Sequence, residues 1–285
     1  MSLATMSFAA IPFPTIDPVA LSLGPIEIKW YGLAYLTGLV LGWLYIRNLL
    51  ANKRLWANAQ PPFGLAKTDD LLIWMTLGVV VGGRLGFVLF YDLFDYLQNP
   101  LEIFMVWRGG MAFHGALLGC GLAIWGFARF AGVNAWSTMD LCAAAVPIGL
   151  FFGRIANFVN GELWGRVTEM PWGMVFPEAT RWNPIVGAVG RHPSQLYEAA
   201  LEGLLLFVVL RVLTHRKLAL QTPGLVTGVF LVGYGLTRSF CELFRQYDPA
   251  HWLSVEPLTP GIVYSVPMVL LGLAFIAHAR RRVIA

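Results

Sequence analysis

The stretch LCAAAVPIGLFFGRIANFVNGELWG, residues 141–165, begins as a charge-free apolar run and then places an arginine, two asparagines and a glutamate close together. The apolar run has the composition of a membrane span, so the polar residues stand where the hydrocarbon should end. The whole chain agrees, because 57% of its 285 residues are hydrophobic and only 13% are charged. Soluble proteins carry about 25% charged residues. We therefore predict an all-α polytopic integral membrane protein.

The chain has seven apolar stretches near the length of about 20 residues that a helix needs to cross the hydrocarbon. They lie at residues 30–50, 71–91, 108–128, 139–156, 197–214, 223–242 and 260–279. We predict seven transmembrane helices in a single transmembrane domain, residues 1–285. The long connection 157–196 is rich in Gly, Pro, Trp and Asn, and we expect a folded cap there. The first 29 residues are expected to form a tail or a short surface segment.

The basic residues predict the orientation of these helices, because cytoplasmic loops carry an excess of Lys and Arg. One set of alternate loops contains Arg47, Lys53, Arg54, Lys67, Arg129, Arg211, Arg216, Lys217, Arg280, Arg281 and Arg282. The N-terminus is therefore predicted outside, the C-terminus in the cytoplasm and the cap on the periplasmic side. This topology accounts for the net charge of +4, so nucleic acid is not expected as a partner. The three cysteines lack ligand spacing, and neither a disulfide, a metal nor a cofactor is expected.

Several polar residues fall at one predicted depth near the outer surface. A charged group in a span costs at least a few kcal/mol and usually faces a protein interior or a water-filled cavity. The residues at this depth are Tyr31, Arg84, His114, Arg154, Asn157, Glu198, Arg238 and Glu242. Helical spacing puts Arg154 beside Asn157, and Arg238 beside Glu242 and Arg245. Guanidinium groups hold phosphate oxygens in pairs, so an outer-leaflet pocket for a phospholipid headgroup is predicted.

Each of these residues also has a simpler interpretation. The arginines can be snorkelling side chains at span ends, although the agreement between spans favours a pocket. His114, taken alone, favours a core histidine, since Gly115 and Gly119 beside it have the spacing of closely packed membrane helices. Glu198 can lie in the first turn of its helix, and Tyr31 can be an interfacial anchor. Patterns of serine hydrolases, zinc proteases and P-loops are absent, so an enzyme, a binding or transport protein and a scaffold all stay open.

The stretch GRIANFVNGELWG, residues 153–165, resembles the signature of the prolipoprotein diacylglyceryl transferase family. Four further blocks agree with this family in order, namely IKWYG at 28–32, HGALLG at 114–119, RHPSQLYEA at 191–199 and TRSFCELFRQYD at 237–248. One departure is Ala116, where the family commonly has a second glycine. The resemblance implies a bacterial inner-membrane enzyme whose active site faces the periplasm. Its partners would be phosphatidylglycerol, a prolipoprotein signal peptide with a lipobox cysteine, and membrane lipid.

The resemblance also implies a reaction and a set of site residues. The family transfers diacylglyceryl from phosphatidylglycerol to the lipobox thiol, which forms a thioether and releases glycerol phosphate. The implied catalytic residues are Tyr31, His114, Arg154, Arg238 and Glu242. The implied phosphatidylglycerol-binding residues are Arg154, Asn157, Asn160, Glu162, Gly165 and Arg238. We expect His114 as the base, Glu242 to orient Arg238, and Gly165 to permit a close backbone approach.

Overall fold

A helix forms at each of the seven apolar stretches. The computed structural model describes residues 10–14, 16–24, 26–90, 92–177, 179, 189–246 and 259–284. Its helices are α1 (Trp30–Ala51), α2 (Lys67–Phe90), a short α3 (Leu93–Gln98), α4 (Phe113–Ala131), α5 (Ala135–Val159), α6 (Ser194–Glu198), α7 (Leu206–Arg216), α8 (Leu225–Glu242) and α9 (Pro260–Ile284). A π-helical segment (Ala199–Leu205) joins α6 directly to α7, so these three segments follow one another without a loop.

Four of these helices are long and apolar enough to cross a membrane, namely α1, α2, α5 and the Gly261–Arg281 part of α9. Within α4, Gly115–Ala131 is a shorter apolar helix. Large apolar side chains on these helices are exposed, for example Leu77 at 55%, Leu122 at 69% and Leu270 at 62%. Such side chains suit contact with lipid, so the prediction of a mainly helical membrane protein is confirmed. The number of spans and their orientation stay predictions.

The chain divides into two compact units, residues 1–45 with 143–285 and residues 46–142. In the second unit, α2 and α4 approach each other through glycines. A Cβ atom added at Gly82 would lie 2.8 Å from Cα of Gly119, and one added at Gly86 would lie 2.6 Å from Cα of Gly115. Only small residues allow such a distance between backbones, which confirms the packing expected from the spacing of Gly115 and Gly119.

The first unit begins with two short strand pairs. Strand β2 (Val19–Leu23) pairs antiparallel with β3 (Ile26–Lys29), which leads straight into α1. Strand β1 (Ile11–Pro12) pairs in parallel with β4 (Met174–Val175) of the cap. From residue 10 onward, the described part of the segment before α1 thus forms short strands, which fits the expected surface segment. Gly24, with φ of +63°, supplies the tight turn between β2 and β3.

The cap is folded wherever the structure describes it, and residues 180–188 lie outside the described part. Arg191 bridges both Val167 and Met174, while Phe176 is fully buried. The backbone of Arg191 both donates to and accepts from Met174 at 2.9 Å. These contacts fit the folded cap that the length and composition of this connection predict.

Candidate active site

Three arginines and three glutamates form one ion-pair network in the first unit. Its centre is Glu198, at the end of α6, whose Oε2 lies 2.7 Å from Nε of Arg154 on α5. The other oxygen of Glu198, Oε1, accepts a hydrogen bond of 3.0 Å from Nη1 of Arg238 on α8. One carboxylate therefore bridges two guanidinium groups from two different helices, which holds the two cations side by side.

The remaining members surround this bridge. Glu202, one turn further along in the π-helical segment, lies 3.5 Å from Nη2 of Arg154 and 3.6 Å from Nη1 of Arg238. Glu242 accepts a hydrogen bond of 2.9 Å from Nη2 of Arg238, as their i, i+4 spacing on α8 predicts. Arg245, just after α8, has a longer ion pair of 3.9 Å with Glu198. Three positive and three negative side chains thus balance each other.

The two kinds of side chain differ in exposure. The side chains of Arg154, Arg238 and Arg245 are 17%, 12% and 23% exposed. The carboxylate side chains are 1% exposed at Glu198, 0% at Glu202 and 6% at Glu242. The arginine side chains of the network are therefore more exposed than the carboxylate side chains with which they pair. Within the described residues, Nη1 of Arg154 donates no hydrogen bond.

Glycine explains how the helices bring these residues together. A Cβ atom added at Gly203 would lie 2.8 Å from Cα of Phe151, one turn before Arg154 on α5. Gly203 thus lets the π-helical segment pack against the backbone of α5, which puts Glu202 within reach of Arg154. A π-helical segment also shifts the following side chains around the helix and is frequent at functional sites. At the other side of the network, Gly261 at the start of α9 leaves space for the carboxylate of Glu242.

The signature loop after α5 is fixed by polar contacts. Nδ2 of Asn157 donates to Oε1 of Glu162 at 2.8 Å, and Nε2 of Gln195 donates to the carbonyl oxygen of Glu162. The hydroxyl of Ser194 donates to the carbonyl of Leu163 at 3.0 Å, where the backbone has a left-handed φ of +58°. The start of α6 therefore holds the loop beside the helix that carries Glu198.

Gly165 makes the close backbone approach that the sequence predicts. A Cβ atom there would lie 2.5 Å from the carbonyl oxygen of Phe244 and 2.6 Å from that of His192. Its N–H donates to the His192 carbonyl at 2.8 Å, and it bridges Arg245. No residue with a side chain fits this position without displacing the backbone on either side.

Burial affects three basic groups near this junction. It lowers the pKa of Arg191, whose Nη1 donates to Oε1 of Gln246 at 3.3 Å. Burial, followed by the nearby charge of Arg238, lowers the pKa of Arg245. Arginine keeps its charge at neutral pH even so, because its ordinary pKa is above 12. Burial also lowers the pKa of His192, which favours the neutral ring that contacts the Tyr197 hydroxyl at 3.0 Å.

The other predicted residues have different positions. Tyr31 is 36% exposed in the first turn of α1 and donates to the Tyr35 hydroxyl at 3.0 Å. Asn160 lies just after α5, where its N–H donates to the carbonyl of Ala156. His114 is in the first turn of α4, in the second unit, and its side chain lies outside the described part of the structure.

Arg84, which shares the predicted depth of the site residues, has different partners. In the second unit its guanidinium donates to the backbone carbonyls of Glu102, Ile103, Gly109 and Gly110 at 2.5–3.2 Å. The residue is 3% exposed, so these carbonyls replace the water that the cation loses on burial. The sequence places Arg84 near the outer surface without a role, and the structure gives it a local packing role.

Two acidic members of the network are not predicted as such from the sequence. Glu198 is expected at the depth of the pocket or simply in the first turn of its helix, and Glu202 is not singled out. The signal was present, because the spacing of Glu198 and Glu202 puts two carboxylates on one side of an apolar helix. Such groups in a span require cationic partners, which points to the arginines of neighbouring spans. Among the described residues, no group of three His, Cys, Asp or Glu side chains could hold a metal ion.

Comparison with known proteins shows the family of this chain. Residues 18–278 match the family model of prolipoprotein diacylglyceryl transferase. The phosphatidylglycerol–prolipoprotein diacylglyceryl transferase of Rhizobium meliloti (strain 1021) is 54% identical over 273 residues, which cover 95% of each chain. The protein of the same name from Rhizobium leguminosarum bv. trifolii is 50% identical over 284 residues, 99% of this chain and 98% of the relative. This chain belongs to the prolipoprotein diacylglyceryl transferase family.

Proposed function

We propose that this chain transfers the diacylglyceryl group of phosphatidylglycerol to the lipobox cysteine thiol of prolipoproteins, with the ion-pair network as its phosphate-binding site. Family membership supports the reaction, since the relatives are named for these two substrates. The observation that supports the site is the difference in exposure, because the arginine side chains are partly exposed and the Glu198 carboxylate between them is buried. An anionic headgroup would meet the positive edge of a network that is neutral as a whole.

The proposed chemistry is a substitution at the glyceryl carbon that carries the phosphate. The cysteine sulfur forms a bond to this carbon while the carbon–oxygen bond breaks. The electron pair of that bond leaves with glycerol phosphate, and the thiol proton passes to a base. Negative charge grows on the phosphate, where the N–H groups of Arg154 and Arg238 would stabilise it. Pre-positioned donors of this kind contribute about 3 kcal/mol each in dry sites.

The carboxylates have a positioning role in this proposal. Glu198 holds Arg154 and Arg238 at a fixed separation, and Glu242 orients Arg238 from the other side. The donors are therefore arranged before the lipid binds, which reduces the reorganisation required during the reaction. Arg245 has the longest pair and would have the most freedom to turn toward a phosphate.

The other site residues keep the roles implied by the family. A free thiol has a pKa near 8.5, so the attack benefits from a base, and His114 is the candidate by residue type. Asn157 and Asn160 would donate to phosphate or glycerol oxygens, and Tyr31 would line the site or anchor α1. The contact of Asn157 with Glu162 supports a shared role in shaping the signature loop.

We place the site at the periplasmic side of the bacterial inner membrane, in a protein of seven spans with its N-terminus outside and its C-terminus inside. A helix at each of the seven apolar stretches supports this number. The basic residues of alternate loops support the orientation. The cap, residues 157–196, would then lie where exported prolipoproteins become accessible.

The test uses the purified chain with glycerol-labelled phosphatidylglycerol and a lipobox peptide. Label should appear on the cysteine peptide and not on a peptide in which serine replaces this cysteine. Arg154→Lys should lower the rate by about 100-fold, because an ammonium cannot donate in pairs as a guanidinium does. Arg47→Lys is the matched control, since Arg47 lies in the second unit and pairs with Asp69.

The outcomes separate the proposal from its alternatives. Wild type that binds the lipid but never labels the peptide, while a relative does so under the same conditions, would favour a binding or transport protein. Equal rates for Arg154→Lys and Arg47→Lys would retain the transferase and remove the network from its active site. His114→Gln with full activity would remove only the assignment of the base.

A further inference from the structure

The connection between α2 and α4 exposes a row of large apolar side chains. This α3 connection, residues 92–108, contains α3 and two 3₁₀ turns, Pro100–Phe104 and Val106–Arg108. Five of its side chains are 67–78% exposed, namely Phe94, Leu97, Leu101, Phe104 and Trp107. Such a row is unfavourable in water, so an apolar partner is required.

The sequence of this connection is amphipathic. Its exposed apolar residues recur at intervals of three and four, from Phe94 to Trp107. Exposed polar residues, Asp92, Asp95, Gln98 and Asn99, lie before and between the first three of these, whereas Glu102 is half-buried. The connection is thus a short helical ribbon with an apolar row along its length and a polar edge at α3. Segments with such a pattern lie in the plane of a membrane interface rather than across it.

Arg84 fixes the backbone of this ribbon through hydrogen bonds. Its guanidinium donates to the four carbonyls of Glu102, Ile103, Gly109 and Gly110, and it lies 4.9 Å from the centre of the Tyr96 ring. Gly110 has no space for a side chain, because a Cβ atom would lie 2.8 Å from Nη1 of Arg84. The backbone is therefore fixed, and the apolar row cannot turn inward to bury itself.

The ribbon is continuous with a surface that faces lipid. At the end of α2, a candidate membrane span, Leu85, Leu89 and Phe90 are 45%, 57% and 70% exposed. The apolar row follows Phe90 within a few residues. Among the ribbon side chains that the structure describes, the exposed charges are acidic, Asp92 and Asp95, so these charges would not attract an acidic partner. The lipid that covers the end of α2 can cover the ribbon as well.

We infer that the α3 connection is an interfacial anchor that lies along the bilayer surface. Its five apolar side chains insert at the boundary between headgroups and acyl chains, while its acidic edge faces water. Arg84 fixes the ribbon to the end of α2 and so sets its depth. The binding is hydrophobic rather than electrostatic, and high salt should leave it unchanged. This inference does not depend on the proposed reaction.

Spin labels can measure the depth of the ribbon in the full chain. Cysteines at Leu101 and Phe104 are compared with cysteines at Asp95 and Gln98 as matched positions on the polar edge. The native cysteines are replaced by alanine, namely Cys120, Cys142 and Cys241. The chain is placed singly in nanodiscs of phosphatidylcholine and phosphatidylglycerol. Collisions with oxygen and with a water-soluble nickel chelate are then measured for each label.

We expect oxygen to reach the labels at 101 and 104 several-fold more often than the nickel chelate does, with the reverse at 95 and 98. Nickel access at all four positions would place the ribbon in water and overturn the inference. Exclusion of both reagents from 101 and 104 would mean that protein covers the row, either a second copy or a bound peptide, and would overturn it as well.

A second measurement keeps the native cysteines. The fluorescence of wild type minus that of Trp107→Phe isolates the signal of Trp107, which is 75% exposed. Lipids brominated in the upper part of their acyl chains should quench this difference signal, and they should do so equally at low and high salt. An unquenched difference signal would contradict insertion of the apolar row.

Discussion

Arg84 and Arg238 are both largely buried arginines on apolar helices, but the protein compensates their charges differently. Arg84, in the second unit, donates to four neutral backbone carbonyls. Arg238, in the first unit, pairs with the carboxylates of Glu198 and Glu242, and those carboxylates are less exposed than the arginine itself. The carbonyls that bond to Arg84 fix the connection between α2 and α4 to α2. Shared carboxylates instead arrange several cations around one position.

This difference decides which arginines can bind a ligand. Four of the five N–H groups of Arg84 donate to the backbone, so its loss should disturb structure first. The network arginines are partly exposed, and buried carboxylates balance their charges. The loss of one of these arginines should therefore disturb anion binding first. A buried arginine in a membrane protein is therefore assigned to structure or to function by its partners rather than by its depth.

The largest expected effect comes from the residue that bridges the network. Glu198→Gln should lower transfer activity by at least about 100-fold and reduce the free energy of unfolding by about 3 kcal/mol, because two buried guanidinium groups lose their shared charge. Glu202→Gln is the matched change one turn later. Its ion pairs are longer, at 3.5 and 3.6 Å, so we expect about a tenfold loss of activity. Initial rates and melting curves would test this order, and an equal loss would contradict the central place of Glu198.

Arg84→Lys tests the prediction that Arg84 has a structural role. The ammonium keeps the charge but cannot reach carbonyls on both sides of the connection, and unmade buried bonds cost about 1–3 kcal/mol each. We expect a lower melting temperature and faster proteolysis between residues 92 and 112. The rate per folded molecule should stay within about threefold of wild type. A strong loss of rate without a change in melting would place Arg84 with the functional arginines.

Gly203→Ala changes the helix packing around the network and leaves its charges unchanged. The added methyl group would meet Cα of Phe151 at 2.8 Å, so α5 and the π-helical segment must move apart. We expect a loss of about 1–3 kcal/mol in stability and about tenfold in activity. Gly121→Ala on α4 is the control, since nothing lies within 4 Å of its added Cβ atom. Melting and rate should both be unchanged there, and equal effects at the two glycines would contradict the packing role of Gly203.

The smallest expected effect concerns pH near the network. Burial lowers the pKa of His192, so the folded protein binds fewer protons than the unfolded chain. Its contribution to stability is present above the ordinary histidine pKa of about 6.5 and is lost as pH falls through the lowered pKa. His192→Gln should make the difference in melting temperature between pH 5 and pH 8 slightly smaller. An increase in that difference would reverse the assigned direction.

Hydropathy predicts the seven helices well, because a long apolar run has few alternatives in a membrane protein. The pairing of Arg238 with Glu242 is also predictable, since both lie on one helix four residues apart. The link from Arg154 to Glu198 is not, because it depends on how two helices pack around Gly203. The carbonyl partners of Arg84 cannot be predicted either. Every residue carries a backbone carbonyl, so no residue type in the sequence identifies the four acceptors.

The central claim is that the exposed guanidinium edge of the network binds the lipid phosphate. It is tested most directly by the binding of phosphatidylglycerol without peptide, measured as a dissociation constant for wild type, Arg154→Lys and Arg238→Lys. Both variants should bind at least about tenfold more weakly than wild type, because each loses paired donation to phosphate. Arg47→Lys should bind as wild type does. Unchanged binding in both network variants would contradict the account, even if they no longer transfer the diacylglyceryl group.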